Sequence, residues 1–272
     1  MVALEAPSGG DGGRASALQR GLAILSVLGS EEALIGDGLG VVRIADLVGR
    51  EKSQVSRALR TLAGAGFAER DPDTRRYRLG WQLFALGAGA GDARLLQAAA
   101  PVLEDLVAHT GETAHLSVLD DIEVLTLLSE GPATAVRASG WQGRRVPASC
   151  TSSGRALLFD YSAAELQRRF GGRGLPRGGP NAPRSLRQLH EQILGDRARG
   201  VAVSDEEFEV GLVAVAAPVR SARGAIVAAV NVSAPKFRLG TGLEDAGHHV
   251  LAAAESLSFA LGNRPALETA TQ

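Results

Sequence analysis

Residues 43–79, RIADLVGREKSQVSRALRTLAGAGFAERDPDTRRYRL, decide the fold of the first part of this chain. Within them Val55, Ala58, Leu59, Leu62 and Ala63 recur at i, i+3, i+4, i+7 and i+8. That spacing is the apolar stripe of an amphipathic helix over residues 53–63. The opposite face carries Gln54, Arg57 and Arg60, with Lys52, Ser53 and Ser56 near the helix start. Glu51 and Ser53 suit the first turn, where a carboxylate favours the dipole and a hydroxyl can cap. Gly64 and Gly66 then end the helix. Upstream, Ile44, Ala45, Leu47 and Val48 predict a shorter helix, and Gly49 permits a tight turn between the two. Downstream, residues 67–70 and 75–79 predict two short strands joined by Asp71-Pro72-Asp73-Thr74, all turn-forming residues. Helix, turn, helix and basic hairpin together make a winged helix-turn-helix.

In that architecture the second helix enters the major groove of DNA. Lys52, Ser53, Gln54, Ser56, Arg57 and Arg60 are the candidate DNA-binding residues on the helix, for base edges and phosphates. Arg75 and Arg76 on the hairpin are candidates for flanking phosphates or the minor groove. Charge agrees in sign: from Arg43 to Arg78 there are nine Arg/Lys and five Asp/Glu, a net of +4, in a chain whose total is −1. A helical subdomain that binds protein instead of DNA stays open at this point.

The rest of the composition sets bounds. A chain of 272 residues has room for one or two domains, and 45% hydrophobic content is ordinary for a globular protein. No apolar run reaches the roughly 18 residues a membrane helix needs. The N-terminus lacks a signal-peptide pattern, so the expected location is the cytoplasm. The single cysteine, Cys150, excludes an intrachain disulfide framework. A net charge near zero argues against indiscriminate coating of nucleic acid and still allows a local DNA site.

Five segments are expected: a glycine-rich disordered lead over 1–13, the winged helix-turn-helix over 14–79, a linker helix over 80–91, a second domain over 92–263, and a tail over 264–272. Ser16 is placed to cap the first helix, with Arg14 and Arg20 near its start. Residues 41–42, Val-Val, predict a short strand. The linker WQLFALGAGA, residues 81–90, carries enough large apolar surface to dimerise, as paired DNA heads at fixed spacing require, packing on its own domain being the alternative. In the second domain the pattern predicts helices at 95–109, at 155–160 (extended or followed by one at 163–170), at 186–200 and at 242–261. Strands are predicted at 113–119, 122–129, 135–139, 201–204, 213–220 and 225–232, and a Gly/Pro-rich surface loop at 171–184. This order suggests an α+β domain with an antiparallel sheet between helices.

Two features of that domain point to a small-molecule site. Thr151-Ser152-Ser153-Gly154 opens a helix, where free N–H groups beside hydroxyls favour a carboxylate or other anion. Thr151 or Ser152 capping its own helix is the alternative. Asn231 and Ser233 alternate along one strand, so both face the same side and could orient a ligand, or be satisfied core groups. Trp141 could close the cavity or serve a core or interface. Catalytic chemistry is not expected: Cys150 has no companion histidine motif, and Ser153 sits in no G-x-S-x-G elbow. The five histidines have no metal-ligand spacing, so neither metal nor cofactor is expected. Asp205, Glu206, Glu207 and Glu209 read as a solvated turn.

The chain as a whole resembles the IclR-type transcriptional regulators. The resemblance is carried by Leu18-Gln19-Arg20-Gly21-Leu22, Lys52-Ser53-Gln54-Val55-Ser56-Arg57 and Arg76-Tyr77-Arg78-Leu79-Gly80 in the first part. In the second it is carried by Thr151-Ser152-Ser153-Gly154-Arg155-Ala156, Gly200-Val201-Ala202-Val203-Ser204-Asp205, Ala216-Ala217-Pro218-Val219 and Val230-Asn231-Val232-Ser233-Ala234-Pro235. It implies a winged helix-turn-helix, a linker helix and a GAF-like effector domain with an antiparallel sheet. It further implies binding to double-stranded DNA at a palindromic operator, an organic-acid effector, and a homodimer or dimer of dimers acting as repressor or activator, with a repressor expected here. By position, the effector cavity maps onto Ser152, Ser153, Ser204, Ala214, Asn231 and Ser233. Ala214 stands where some members carry cysteine, and Asn231 where many carry serine. A regulatory enzyme acting on a small molecule and a constitutive DNA-binding scaffold are the competing functions.

Overall fold

In the computed structural model, which describes residues 16–89, 93–132 and 141–263, Ser16 opens the first helix with a capping box. The Gln19 N–H donates to Ser16 Oγ, and the Ser16 N–H donates back to Gln19 Oε1. The expected lead over 1–13, the strand at 135–139, the tail over 264–272 and Arg14 lie outside the described residues. The chain divides into two units, Met1–Gly91 and Asp92–Gln272.

The first unit runs α1 (Ala17–Leu28), α2 (Glu31–Ile35), α3 (Val41–Val48), α4 (Lys52–Gly64), β1 (Ala68–Arg70), β2 (Tyr77–Leu79) and α5 (Trp81–Gly89). Gly49 turns the chain between α3 and α4 in the left-handed region, at φ 62°, a conformation costly for residues with a Cβ. Val55 and Leu59 of α4 pack with Ile24, Leu28, Ile44 and Tyr77 in one buried cluster. β1 and β2 pair antiparallel from Ala68↔Leu79 to Arg70↔Tyr77. The strand expected at 41–42 does not form, because α3 already begins at Val41. Val41, Ile44, Ala45 and Val48 continue the helical stripe one turn upstream and pack on the same cluster. Burial outweighs the β preference of two adjacent valines.

The second unit runs α6 (Ala93–Thr110), β3 (Thr113–Asp120), β4 (Glu123–Glu130), β5 (Arg145–Pro147), α7 (Ser152–Leu157), α8 (Ala163–Phe170), α9 (Leu186–Arg199), β6 (Ala202–Asp205), β7 (Leu212–Arg220), β8 (Ile226–Pro235), α10 (Lys236–Leu239) and α11 (Leu243–Ala260). Among the described residues, six strands form one antiparallel sheet in the order β5-β4-β3-β8-β7-β6. Strand alternation divides its faces. Val230 and Val232 of β8, with Val215 of β7 and Leu116 of β3, pack in one cluster with Leu103 of α6 and Val250 and Leu257 of α11. Ala229 and Ala216 pack in a second cluster with Leu158, Phe170, Leu189 and Ile193, beside α7, α8 and α9. Asn231 and Ser233, in register with Ala229, therefore face the α7 side. The helix expected at 155–160 is instead Ser152–Leu157, since Thr151 caps it three residues earlier. β5 was not anticipated: three residues ending in proline at a sheet edge carry too little alternation to read.

Candidate functional site

On α4, burial of Val55 and Leu59 turns Lys52, Ser53, Arg57 and Arg60 outward to solvent, with Gln54 and Ser56 half-buried at the edge of that face. Arg20 Nη1 donates to Gln54 Oε1 at 3.1 Å, so α1 holds the side chain of Gln54 in place. At the hairpin the two predicted arginines part company. Arg75 is exposed, in the left-handed region at φ 60°. Arg76 Nη1 instead donates to the Gly36 carbonyl after α2, tying the wing to the helical core. Arg78 is held by Glu69 at 3.2 Å. Trp81, at the head of α5, is 79% exposed.

The second unit contains a cavity of about 60 Å³ between the α7-side sheet face and the start of α7, room for a few ordered waters. All six residues mapped to an effector site line it: Ser152, Ser153, Ser204, Ala214, Asn231 and Ser233. The sheet brings them together by register, since Ser204 pairs with Ala214, Ala214 with Ser233, and Asn231 with both Ala216 and His115. At the helix start, the Gly154 N–H donates to Thr151 Oγ1 at 3.2 Å, and that hydroxyl donates to the Pro147 carbonyl at 3.0 Å. Thr151 is thus the cap. Ser152, 1% exposed, is left with a hydroxyl that has no partner.

Among the lining residues missed or left undecided in the sequence, four bear on the chemistry of the site. His115 and Ser117 of β3 face the cavity, as does Phe208 in the loop after β6, while Trp141 settles as a lining residue. The Trp141 ring lies 5.9 Å from His115 and 6.2 Å from Phe208, and the Arg144 guanidinium sits over it at 5.3 Å. His115 Nε2 is 3.2 Å from Ser233 Oγ, whereas its Nδ1 has no partner. Burial pushes this imidazole down to about 4, so it is neutral at pH 7. Its signal in the sequence was the alternation His115, Ser117 in an otherwise apolar strand, the pattern that had singled out Asn231 and Ser233.

Beneath the cavity Arg155, one turn along α7, is 1% exposed. Its Nε donates to Asp196 Oδ2 of α9 at 2.6 Å, Nη1 to Glu207 and Nη2 to the Val203 carbonyl. The acidic run is therefore not wholly a solvated turn. Glu207 is buried against Arg155, and burial raises its carboxyl above the usual range despite that cation. Asp205 and Glu206 pair with Lys236. Glu207 and its neighbour Phe208 are thus anchored from below to the helix that presents Ser152 and Ser153. Cys150 is buried, and desolvation pushes its thiol up to about 11, so it is no activated nucleophile. Among the described residues no cluster of three His, Cys, Asp or Glu is arranged to hold a metal, and no helix is long and apolar enough to cross a membrane.

Comparison with known proteins bears on both units. Residues 17–72 match the IclR helix-turn-helix domain, and residues 89–259 match the bacterial transcriptional regulator IclR C-terminal domain. The chain is 32% identical over 256 residues to the HTH-type transcriptional regulator BhcR of Paracoccus denitrificans, covering 93% of this chain and 90% of that protein. It is 29% identical to the HTH-type transcriptional repressor AllR of Klebsiella pneumoniae, covering 92% of each. Among solved structures, an IclR regulator from Alicyclobacillus acidocaldarius superposes with a TM-score of 0.73 at 27% identity, over 92% of this chain and 100% of the other. An IclR homologue from Microbacterium hydrocarbonoxydans, solved with 4-hydroxybenzoate, superposes with a TM-score of 0.75 at 25% identity, over 90% of this chain and 99% of the other. With both of its units matched, the chain belongs to the IclR family of bacterial DNA-binding transcriptional regulators.

Proposed function

We propose that the protein is an effector-controlled repressor, in which a compact organic acid bound among Ser152, Ser153, Ser204, Ala214, Asn231 and Ser233 alters operator binding. The observation that carries this is the convergence of those six residues, from β6, β7, β8 and α7, on one cavity with an unpartnered hydroxyl at Ser152. A buried hydroxyl without a partner is costly to leave empty-handed and is relieved by a ligand that supplies one. The relative solved with 4-hydroxybenzoate supports an acid as ligand, and the repressor AllR supports repression. The small volume favours a ligand of few heavy atoms; a larger ring must displace Trp141 or Phe208. Lys52, Ser53, Gln54, Ser56, Arg57 and Arg60 would lie in the major groove of a palindromic operator and Arg75 on flanking phosphate, with the protein paired as a homodimer or dimer of dimers. The ligand can shift operator affinity only by binding the two arrangements of the paired heads unequally.

The test is a thermal-shift and operator-binding screen with small carboxylates against wild type and Ser152→Ala. A carboxylate that raises Tm and changes operator affinity in wild type, with both effects weakened in the variant, is the expected result. Operator binding that no ligand alters, with no thermal shift, would instead mark a constitutive DNA-binding scaffold.

A further inference from the structure

Among the described residues, the effector cavity has a titratable wall and no permanent charge. Among its described lining residues the polar groups are hydroxyls, the Asn231 amide and the His115 imidazole, with no Lys, Arg, Asp or Glu. Among the described residues, the groups that share a face or the cavity with His115 are uncharged. Asn231 and Ser233 come from β8, Ser129 pairs with it from β4, and Ser152 and Ser153 of α7 and the Trp141 ring share the cavity. Of the ionic groups close by, Glu112 is paired with Arg238 at 2.6 Å and Glu207 with Arg155, while the Arg144 guanidinium sits over the Trp141 ring at 5.3 Å. An acid entering here meets no cation among the described lining residues, and burying a carboxylate without a counter-charge is strongly unfavourable.

We propose that His115 supplies that charge on demand: it takes up one proton from solvent as a carboxylate ligand enters, so that effector binding is coupled to pH. The proposal rests on the carboxylate-effector reading above. An imidazolium has two N–H donors and needs two acceptors. Nε2 already has Ser233 Oγ at 3.2 Å, while Nδ1 has none until the ligand's carboxylate oxygen arrives. The ligand could instead enter as the neutral acid. Imidazole, however, is the stronger base by about two pH units in water, which favours the ring as the proton's resting place. Contact with a carboxylate favours the charged ring and reverses the depression that burial imposes. The consequence is selective: compact carboxylates bind, their neutral amides bind poorly, and acidification above the ligand's own titration range strengthens binding.

The experiment uses the full chain with acetate, propionate and 4-hydroxybenzoate, each against its neutral amide. Calorimetry in two buffers of different ionisation enthalpy counts protons taken up, and [15N]histidine spectra show whether the ring carries them. We expect uptake approaching one proton and binding that tightens up to about tenfold per pH unit between about pH 7.5 and 6. An imidazolium signature should appear at His115, and the uptake should vanish in His115→Gln. Binding of an acid without uptake, equal binding of the amide, or uptake that persists in His115→Gln would overturn the proposal while leaving the cavity as the effector site. If none of the acids binds between about pH 5.5 and 8, the carboxylate reading itself fails, and the proposal with it. Should His115→Gln not fold, the wild-type ring signal and the amide comparison still decide.

Discussion

The Nε of Arg155 lies 2.6 Å from Oδ2 of Asp196, with both side chains almost wholly removed from solvent. This pair joins α7, which presents Ser152 and Ser153, to α9, and through Glu207 to the segment carrying Phe208. Removing one partner of a buried ion pair strands the other charges. Arg155→Met should therefore cost about 3–5 kcal/mol in chemical denaturation. Replacing Arg155, Asp196 and Glu207 together with apolar residues should recover much of that loss. A single-variant loss below about 1 kcal/mol would show that water reaches these carboxylates.

His115 makes the folded protein acid-sensitive. Its imidazole titrates near 6.5 when unfolded and near 4 when folded, so between those values the unfolded chain binds the extra proton. Stability from this group is fully present above 6.5 and is lost as pH falls toward 4, by up to about 3 kcal/mol. Urea denaturation across pH 4–7.5, wild type against His115→Gln, isolates this share from the carboxylates that titrate alongside. A difference between the two proteins that does not change over that range would contradict a buried neutral His115.

Gly154 tests the helix start. A Cβ there would lie 2.0 Å from the Ala148 carbonyl oxygen, a backbone atom that cannot rotate away. Gly154→Ala should destabilise the second unit by about 1–3 kcal/mol or more and displace Ser152 and Ser153. Ligand affinity should fall further than in Ser152→Ala. An unchanged Tm would contradict the close packing of α7 on the turn at Ala148.

The two wing arginines should separate by assay. Arg75→Ala is expected to weaken DNA binding and lower its salt dependence by about one unit, with folding unaffected. Arg76→Ala should instead lower Tm, because it loses the bond to the Gly36 carbonyl, while the salt slope stays near that of wild type. The reverse pattern would place Arg76 on phosphate.

Local periodicity explains which parts were legible. Helix α4 was readable because Val55 and Leu59 bury in the same stripe that their spacing announces. Asn231 and Ser233 were readable because strand alternation alone fixes their shared face. Glu207 and Arg155 were not, since their pairing spans 52 residues and leaves no short-range trace. The bond from Arg76 was hidden for the same reason: its partner, Gly36, lies 40 residues away. His115 was within reach, but weighing histidines only by metal spacing passed over its alternation with Ser117.

The most direct test of the regulator account is binding to the DNA upstream of its own gene, wild type against Arg57→Ala, from about 50 to 300 mM salt. We predict wild-type binding at least about a thousandfold tighter than to a scrambled duplex, and a loss of about 1–3 kcal/mol in the variant. Equal, weak, purely salt-driven binding by both proteins would contradict the placement of α4 in the major groove.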